Sequence, residues 1–225
     1  MESQTADVTW TADAVPVSTR FDDPYFNLEN GLAETRHVFL AGNGLPERFC
    51  DGFQIAELGF GTGLNFMATL QAWRSAGRKG RMRFTSFEAY PLSTDQIGTA
   101  LQPFAATGLA CSEVLAQYDP GGGVFGFEDG VELHVIVGDA RQTVPFWKGA
   151  ADAWFLDGFS PAKNPELWDE ELLQQVALHT RAGGSFATYT AAGFVRRNLA
   201  AAGFEVSRIA GYGRKRHMTR GSLPI

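Results

Sequence analysis

The sequence predicts an α/β protein: a doubly wound, Rossmann-like, mostly parallel seven-stranded sheet with a final antiparallel strand and a small N-terminal cap. Three observations carry this expectation. Apolar, β-favouring runs alternate with helix-forming stretches from residue 53 onward. The first run ends in Glu57-Leu58-Gly59-Phe60-Gly61-Thr62-Gly63-Leu64-Asn65, which reads as a strand, a glycine-rich turn and a helix start. Two later strand ends carry Glu88 and Gly138-Asp139. Polar groups are thus delivered to one edge of the sheet, where ligands lie in open α/β folds.

Taken in order, Met1 to about Arg20 is polar and reads as a flexible N-terminus. Phe21 to Asn27 is rich in turn formers and aromatics, and Gly31 to Leu40 suits a short helix leading to a strand. Residues 21–50 form a cap against a main domain spanning 51–225. Within it, Gln54–Leu58 is the first strand. Thr62–Ser75 is a helix with Leu64, Met67, Ala68 and Leu70 on its buried side. Arg83–Ala89 is the second strand, and helices fill Ser93–Gln117, broken at Pro103 and Gly108. Gly121-Gly122-Gly123 precedes a hairpin with arms Val124–Glu128 and Val131–Val137. Asp152–Leu156 is a buried strand, Glu166–Arg181 a helix and Gly184–Thr190 a strand. The helix Ala191–Ala202 is closed by Gly203, and Phe204–Ala210 with Arg216–Gly221 forms a final antiparallel pair.

Composition narrows the function. No apolar run approaches the ~18 residues of a membrane span, and the N-terminus lacks a signal-peptide core. A cytoplasmic protein without a membrane partner is expected. Cys50 and Cys111 make neither a metal-spaced motif nor a disulfide framework, so both are expected reduced and no metal is expected. His37 and His217 read as structural. The net charge of −6 conceals an asymmetry. From Arg181 onward there are eight Arg/Lys against one acid, Glu205, with the densest run at Arg214-Lys215-Arg216-His217. A basic face on an acidic body points to nucleic acid; a solvated turn is the plain alternative.

The glycine turn lets a ligand approach the backbone, and the helix beyond it offers free N–H groups. Its spacing is G-x-G-x-G; Leu64 stands where a dinucleotide fingerprint has its third glycine. After an acidic strand end this spacing resembles the loop of S-adenosylmethionine-dependent methyltransferases, which makes Glu57, Gly59, Gly61, Thr62, Gly63 and Asn65 candidate cofactor-binding residues. Glu88 lies 25 residues beyond Gly63, where a carboxylate can accept from both hydroxyls of a ribose. Asp139 is placed to accept from an adenine amine. Each of these two acids would equally serve as a helix N-cap or a solvated strand end. Asp157 ends the fourth strand and enters Gly158-Phe159-Ser160-Pro161-Ala162-Lys163-Asn164-Pro165. A carboxylate there can hold a neutral amine, aim its lone pair and take its proton; capping the following turn is the alternative. Phe159 suits packing as well as base stacking.

The resemblance extends further. Asp22-Asp23-Pro24-Tyr25-Phe26, the run Gly31 to Leu40, Gly59 to Phe66, Ser86-Phe87-Glu88, Asp152 to Phe159, Pro161 to Pro165, Ala192 to Arg197 and Gly211 to Arg216 resemble the methyltransferase domain of the MnmC family of tRNA wobble-uridine modification enzymes. They run from about residue 22 to 218. The resemblance implies a class I methyltransferase fold and methylation of the amine of 5-aminomethyl(-2-thio)uridine in the anticodon region of tRNA, with S-adenosylmethionine as donor. It makes Asp157 the catalytic residue. Lys163, Arg196, Arg197, Arg214, Lys215 and Arg216 would hold the tRNA, with Phe159, Tyr189 and Tyr212 as stacking candidates. Two-domain members also carry a flavin-dependent oxidase; the chain ends at Ile225, and no FAD is expected in it. A methyltransferase for a small amine, an aminopropyltransferase and a non-catalytic RNA-binding protein are the competing readings. The basic C-terminal part speaks against the second, and retention of Asp157 beside the glycine turn against the third.

Overall fold

The computed structural model describes residues 5–27, 30–77 and 79–225. Val8–Trp10 (β1), Pro16–Ser18 (β2) and Asp23–Pro24 (β3) form a small antiparallel sheet. Two of these strands fall in the stretch expected to be flexible. Val8, Thr9 and Val17 are β-branched and suit extended backbone, and the Ala6 amide donates to the Pro91 carbonyl at 3.0 Å, tying the segment to the main body. Met1–Gln4 lie outside the described residues.

Gly31–Thr35 (α1) starts at Asn30, whose side chain accepts from the Ala33 amide. The chain then continues as a π-helical turn, Arg36–Leu40, and a 3₁₀ turn, Ala41–Asn43, where a strand was expected. Val38, Phe39 and Leu40 are all buried, which consecutive residues of a one-sided strand cannot be. Asn43 rewards the coiled path by donating to the carbonyls of Phe39 and Trp154.

The main body alternates as the sequence pattern requires: Phe53–Leu58 (β4), Leu64–Ser75 (α2), Met82–Glu88 (β5), Thr94–Leu101 (α3), Cys111–Leu115 (α4), Gly123–Phe127 (β6), Val131–Val137 (β7), Ala140–Thr143 (α5), Ala151–Leu156 (β8), Glu170–Leu178 (α6), Thr180–Thr188 (β9), Gly193–Ala201 (α7), Glu205–Ala210 (β10) and His217–Ser222 (β11). The sheet order is β10-β11-β9-β8-β4-β5-β7-β6. It has eight strands rather than seven, because the hairpin arm expected over Val124–Glu128 (β6) joins it antiparallel to β7 at one edge. At the other edge β11 is antiparallel to both β9 and β10. The helix expected over Glu166–Arg181 is divided. Pro165–Trp168 is a 3₁₀ turn, Asp169 caps α6 by accepting from Leu172 at 2.7 Å, and Arg181 already lies in β9. No glycine or proline marks the end of α6. His179 does so instead, bonding the carbonyls of Gln175 and Trp147.

Both faces of the sheet are covered, so β4 and β8 read as near-continuous apolar runs. Ala153 and Phe155 of β8 enter one core with α2 and the cap; Trp154 and Leu156 enter the other with α6 and α7. β4 and β8 are adjacent and parallel, with Leu58 opposite Leu156. The strand order reverses here, and this register sets the glycine turn after β4 against Asp157 and Gly158 after β8.

Candidate active site

A cleft of about 460 Å³ opens at this switch point, a size typical of small-molecule sites. Of the residues singled out in the sequence, Gly59, Gly61, Thr62, Asn65, Glu88, Asp139, Asp157, Phe159, Tyr189 and Lys215 line it. Gly59 has φ +83°, and a Cβ on it would lie 3.3 Å from the Gly158 Cα, so the two turns touch through glycine. Gly63 sits outside the lining. It is the left-handed N-cap residue of α2, and a Cβ there would meet the Phe60 ring at 2.8 Å.

Glu57 is fully buried beneath the turn and also outside the lining. It accepts from Ser86 Oγ at 2.6 Å and Asn65 Nδ2 at 2.9 Å. Desolvation drives its pKa well above the ordinary carboxylate range, against those two hydrogen bonds. Asn65 Nδ2 donates also to Asp157 Oδ2 at 2.7 Å, while its Oδ1 accepts from Thr35 Oγ1 at 2.8 Å. One amide therefore joins β4, the cap and the end of β8. Glu57 acts through it, bracing Asn65 rather than facing the cleft.

The Asp157 carboxylate is partly buried at the cleft wall. Desolvation pushes its pKa up to about 7, opposed by the Asn65 and Gly158 hydrogen bonds. Glu88 accepts from the Gly61 amide at 2.9 Å and the Tyr90 amide at 2.8 Å; burial raises its pKa and these donors hold the rise in check. Asp139 takes the alternative open to it. It caps α5 by accepting from the Arg141 amide at 2.9 Å, and the Arg141 guanidinium at 2.6 Å holds its pKa down. It lines the cleft nonetheless.

The cap supplies a wall whose residues were not among the candidate site residues, Phe21, Asp23, Tyr25, Glu34 and Thr35, and Arg20 just before it joins them. The signals were the aromatic and turn-forming cluster from Phe21 to Phe26 and the family resemblance of Asp22–Phe26 and Gly31–Leu40, neither of which assigned these side chains to the site. Phe159 stacks on Phe21 with ring centres 4.7 Å apart and meets Tyr25 edge-on, so its ring is engaged in packing. Lys163 bonds the Asp22 carbonyl and pairs with Asp22 at 3.1 Å, clipping the loop to the cap. The Ser160 amide donates to Asp23 at 2.8 Å. Lys215 pairs with Glu34 at 2.9 Å and lies 4.1 Å from the Tyr189 ring centre. Tyr189 in turn donates to the Gly158 carbonyl at 2.8 Å. Arg196 and Arg197 lie on α7, just past the C-terminal end of β9. Arg214 and Arg216 lie on the turn after β10, which runs parallel to β9. All four thus sit at the edge of the sheet that bears the cleft, outside its lining. His37 bonds the Ala210 carbonyl at 3.2 Å.

Among the described residues, no group of three or more His, Cys, Asp or Glu could hold a metal ion, and no helix is long and apolar enough to cross a membrane. Cys50 and Cys111 are free thiols. The donor set suits a cationic adenosyl compound. The turn admits a close ligand, Glu88 offers carboxylate oxygens beside it, and six carboxylates at the cleft (Asp23, Glu34, Glu88, Asp139, Asp157 and Glu166) outnumber its three cations (Arg20, Arg141 and Lys215), which complements a sulfonium charge.

Comparison with known proteins agrees with this chemistry. The model of a family described as S-adenosyl-L-methionine-dependent methyltransferase matches residues 116–224. The chain is 44% identical over 226 residues to the tRNA 5-methylaminomethyl-2-thiouridine biosynthesis bifunctional protein MnmC of Chromobacterium violaceum, covering 96% of this chain and 34% of that protein. It is 41% identical over 230 residues to the protein of the same name from Stutzerimonas stutzeri, covering 98% and 35%. The chain thus spans about a third of the length of the curated relatives it matches. The crystal structure of MnmC2 from Aquifex aeolicus superposes with a TM-score of 0.73 at 25% identity, covering 100% of this chain and 73% of that one.

Proposed function

We propose, from the premise that this chain belongs to the S-adenosyl-L-methionine-dependent methyltransferases and resembles the methyltransferase part of MnmC, that it methylates the amine of 5-aminomethyl(-2-thio)uridine in the anticodon region of tRNA. The observation that carries the reading is the Asp157 carboxylate, held by Asn65 at the mouth of a glycine turn, in a cleft flanked by a basic edge.

The cofactor, when bound, supplies a methyl group on a sulfonium centre. Gly59, Gly61, Thr62 and Asn65 would lie against it, with Glu88 at the ribose and Asp139 near the adenine. Asp157 does the acid–base work. A primary alkylamine has a pKa of about 10 and arrives as an ammonium ion, whose lone pair is unavailable. An ordinary carboxylate near 4 lies about six units below it. With Asp157 pushed up to about 7 the gap is about three units, which eases proton transfer by roughly 4 kcal/mol. The amine proton passes to one oxygen of Asp157, and the other oxygen accepts from a remaining N–H of the amine, which keeps the freed lone pair aimed along the cleft. Asn65 fixes the rotamer of Asp157, and Glu57 fixes Asn65. Arg196, Arg197, Arg214 and Arg216 would hold phosphates on either side of the inserted nucleotide, and Lys163 would keep the cap closed over it. Residues 21–50 form a cap over a methyltransferase domain in 51–225 in this reading, and the tRNA substrate argues for a cytoplasmic location.

A small-amine methyltransferase would need the cleft but not the basic edge. Incubation with labelled S-adenosylmethionine and tRNA from cells lacking the modification, followed by nucleoside mass spectrometry, separates the two. Label in 5-methylaminomethyluridine is the expected result. Label confined to free amines overturns the tRNA assignment.

A further inference from the structure

Lys215 does not point away from the protein as a simple phosphate ligand would. Its ammonium sits 2.9 Å from Glu34 Oε1 and 4.1 Å from the Tyr189 ring centre, at the cleft that Asp157 also lines. Glu34 is only 8% exposed, on α1 of the cap. The Tyr189 ring is held still by its hydroxyl bond to Gly158, the residue after Asp157. A buried carboxylate and a fixed aromatic face are together the recognition elements of a primary alkylammonium.

We propose that Glu34 and Tyr189 form the binding subsite for the substrate's aminomethyl group in its ammonium form, and that Lys215 occupies this subsite as a placeholder until substrate displaces it. The inference deepens the methyltransferase reading and rests on it for the identity of the substrate. The exchange is between two ammonium groups on one carboxylate, so it breaks no bond and leaves the charge of the cleft unchanged. A buried Glu34 without a cation would be costly, which explains why the free protein fills the site with its own side chain. Lys215 has 44% of its side chain exposed and lies on the turn between β10 and β11, beside Arg214 and Arg216. Once displaced, its ammonium can join those two at the RNA backbone. Arrival of the correct nucleotide would then be coupled to tighter phosphate contact. Glu34 and Tyr189 are thereby assigned to substrate selection, one step ahead of proton removal by Asp157.

The test titrates ethylammonium, cationic at pH 7.5, into the ligand-free protein and its Lys215→Met variant. Removing the placeholder is expected to tighten ethylammonium binding at least tenfold. The gain should vanish in Lys215→Met combined with Glu34→Gln, and in Lys215→Met combined with Tyr189→Leu, but persist with Tyr189→Phe. Neutral propanol should show no gain. Equal ethylammonium affinity in wild type and Lys215→Met, or a gain that survives Glu34→Gln, overturns the proposal. These titrations need no methyl transfer, so they stand apart from the activity assignment. With 5-aminomethyluridine nucleoside as acceptor, Glu34→Gln should raise KM about tenfold with a smaller change in kcat; an unchanged KM overturns the subsite.

Discussion

Replacing Asp157 by asparagine should stabilise the ligand-free protein while abolishing its activity. The folded protein holds this carboxyl at about 7, against an ordinary value of 3.8. The shift is upward, so the unfolded chain ionises first. The protonated form therefore contributes its full stability below about pH 4, and that stability is lost progressively as pH rises to about 7. Three units correspond to about 4 kcal/mol at neutral pH and above. The carboxylate is only partly buried and opens on the cleft, so roughly 1–2 kcal/mol is the realistic size. The amide introduced by Asp157→Asn does not titrate, and its oxygen can still accept from Asn65 Nδ2. Urea unfolding of both proteins at pH 5 and pH 8 reads the difference directly. The variant's advantage should be smaller at pH 5 and larger by about 1 kcal/mol at pH 8. An advantage that is flat across this range, or a variant less stable at pH 8, would refute the claim that Asp157 carries a desolvated carboxyl.

Further expectations concern its supports. Asn65→Ala would take one donor from each of Glu57 and Asp157, leaving Ser86 Oγ on the first and the Gly158 hydrogen bond on the second; a loss of about 1–3 kcal/mol in denaturant unfolding and a pH–rate profile displaced to higher pH are expected. Gly63→Ala forces a side chain into φ +73° and against Phe60, so it should lower stability by about 1–3 kcal/mol and leave calorimetric affinity for S-adenosylmethionine close to wild type. Gly59→Ala should reduce that affinity as well, since Gly59 lines the cleft. Reversing Arg196, Arg197 and Arg216 to Glu should weaken tRNA binding in filter assays and flatten its salt dependence, with methylation of the free nucleoside retained.

The parts of this protein with a strict local signature were legible in the sequence. The glycine turn, the acidic strand ends and the two-faced apolar strands β4 and β8 obey rules that hold within about ten residues. The cap did not. Tyr25 lies over Gly61, and Glu34 meets Lys215 across 181 positions of sequence, contacts that no periodicity announces. Local rules also left real alternatives. Asp139 can cap a helix and face a ligand, and only the placement of Arg141 shows that it does the first. Glu57 looked like a ligand residue because it precedes the glycines. The pleat instead turns it beneath them, where its value lies in holding Asn65. Phe159 and Lys163 belong to the seam between loop and cap, because Phe21, Asp22 and Asp23 come to meet them. The strand expected before Asn43 failed for a tertiary reason, the bond from Asn43 to Trp154 across 111 positions.

The most direct test of the central claim is the single-turnover rate of methyl transfer to undermodified tRNA, measured from pH 5.5 to 9 for the wild-type protein and Asp157→Asn. The account predicts 5-methylaminomethyluridine formation by the wild type, at a rate that climbs as Asp157 ionises around pH 7. Asp157→Asn should be slower by a factor of at least about 100 at every pH while still binding the cofactor. A wild type that leaves the tRNA unmethylated, or a variant that matches its rate, would contradict the assignment.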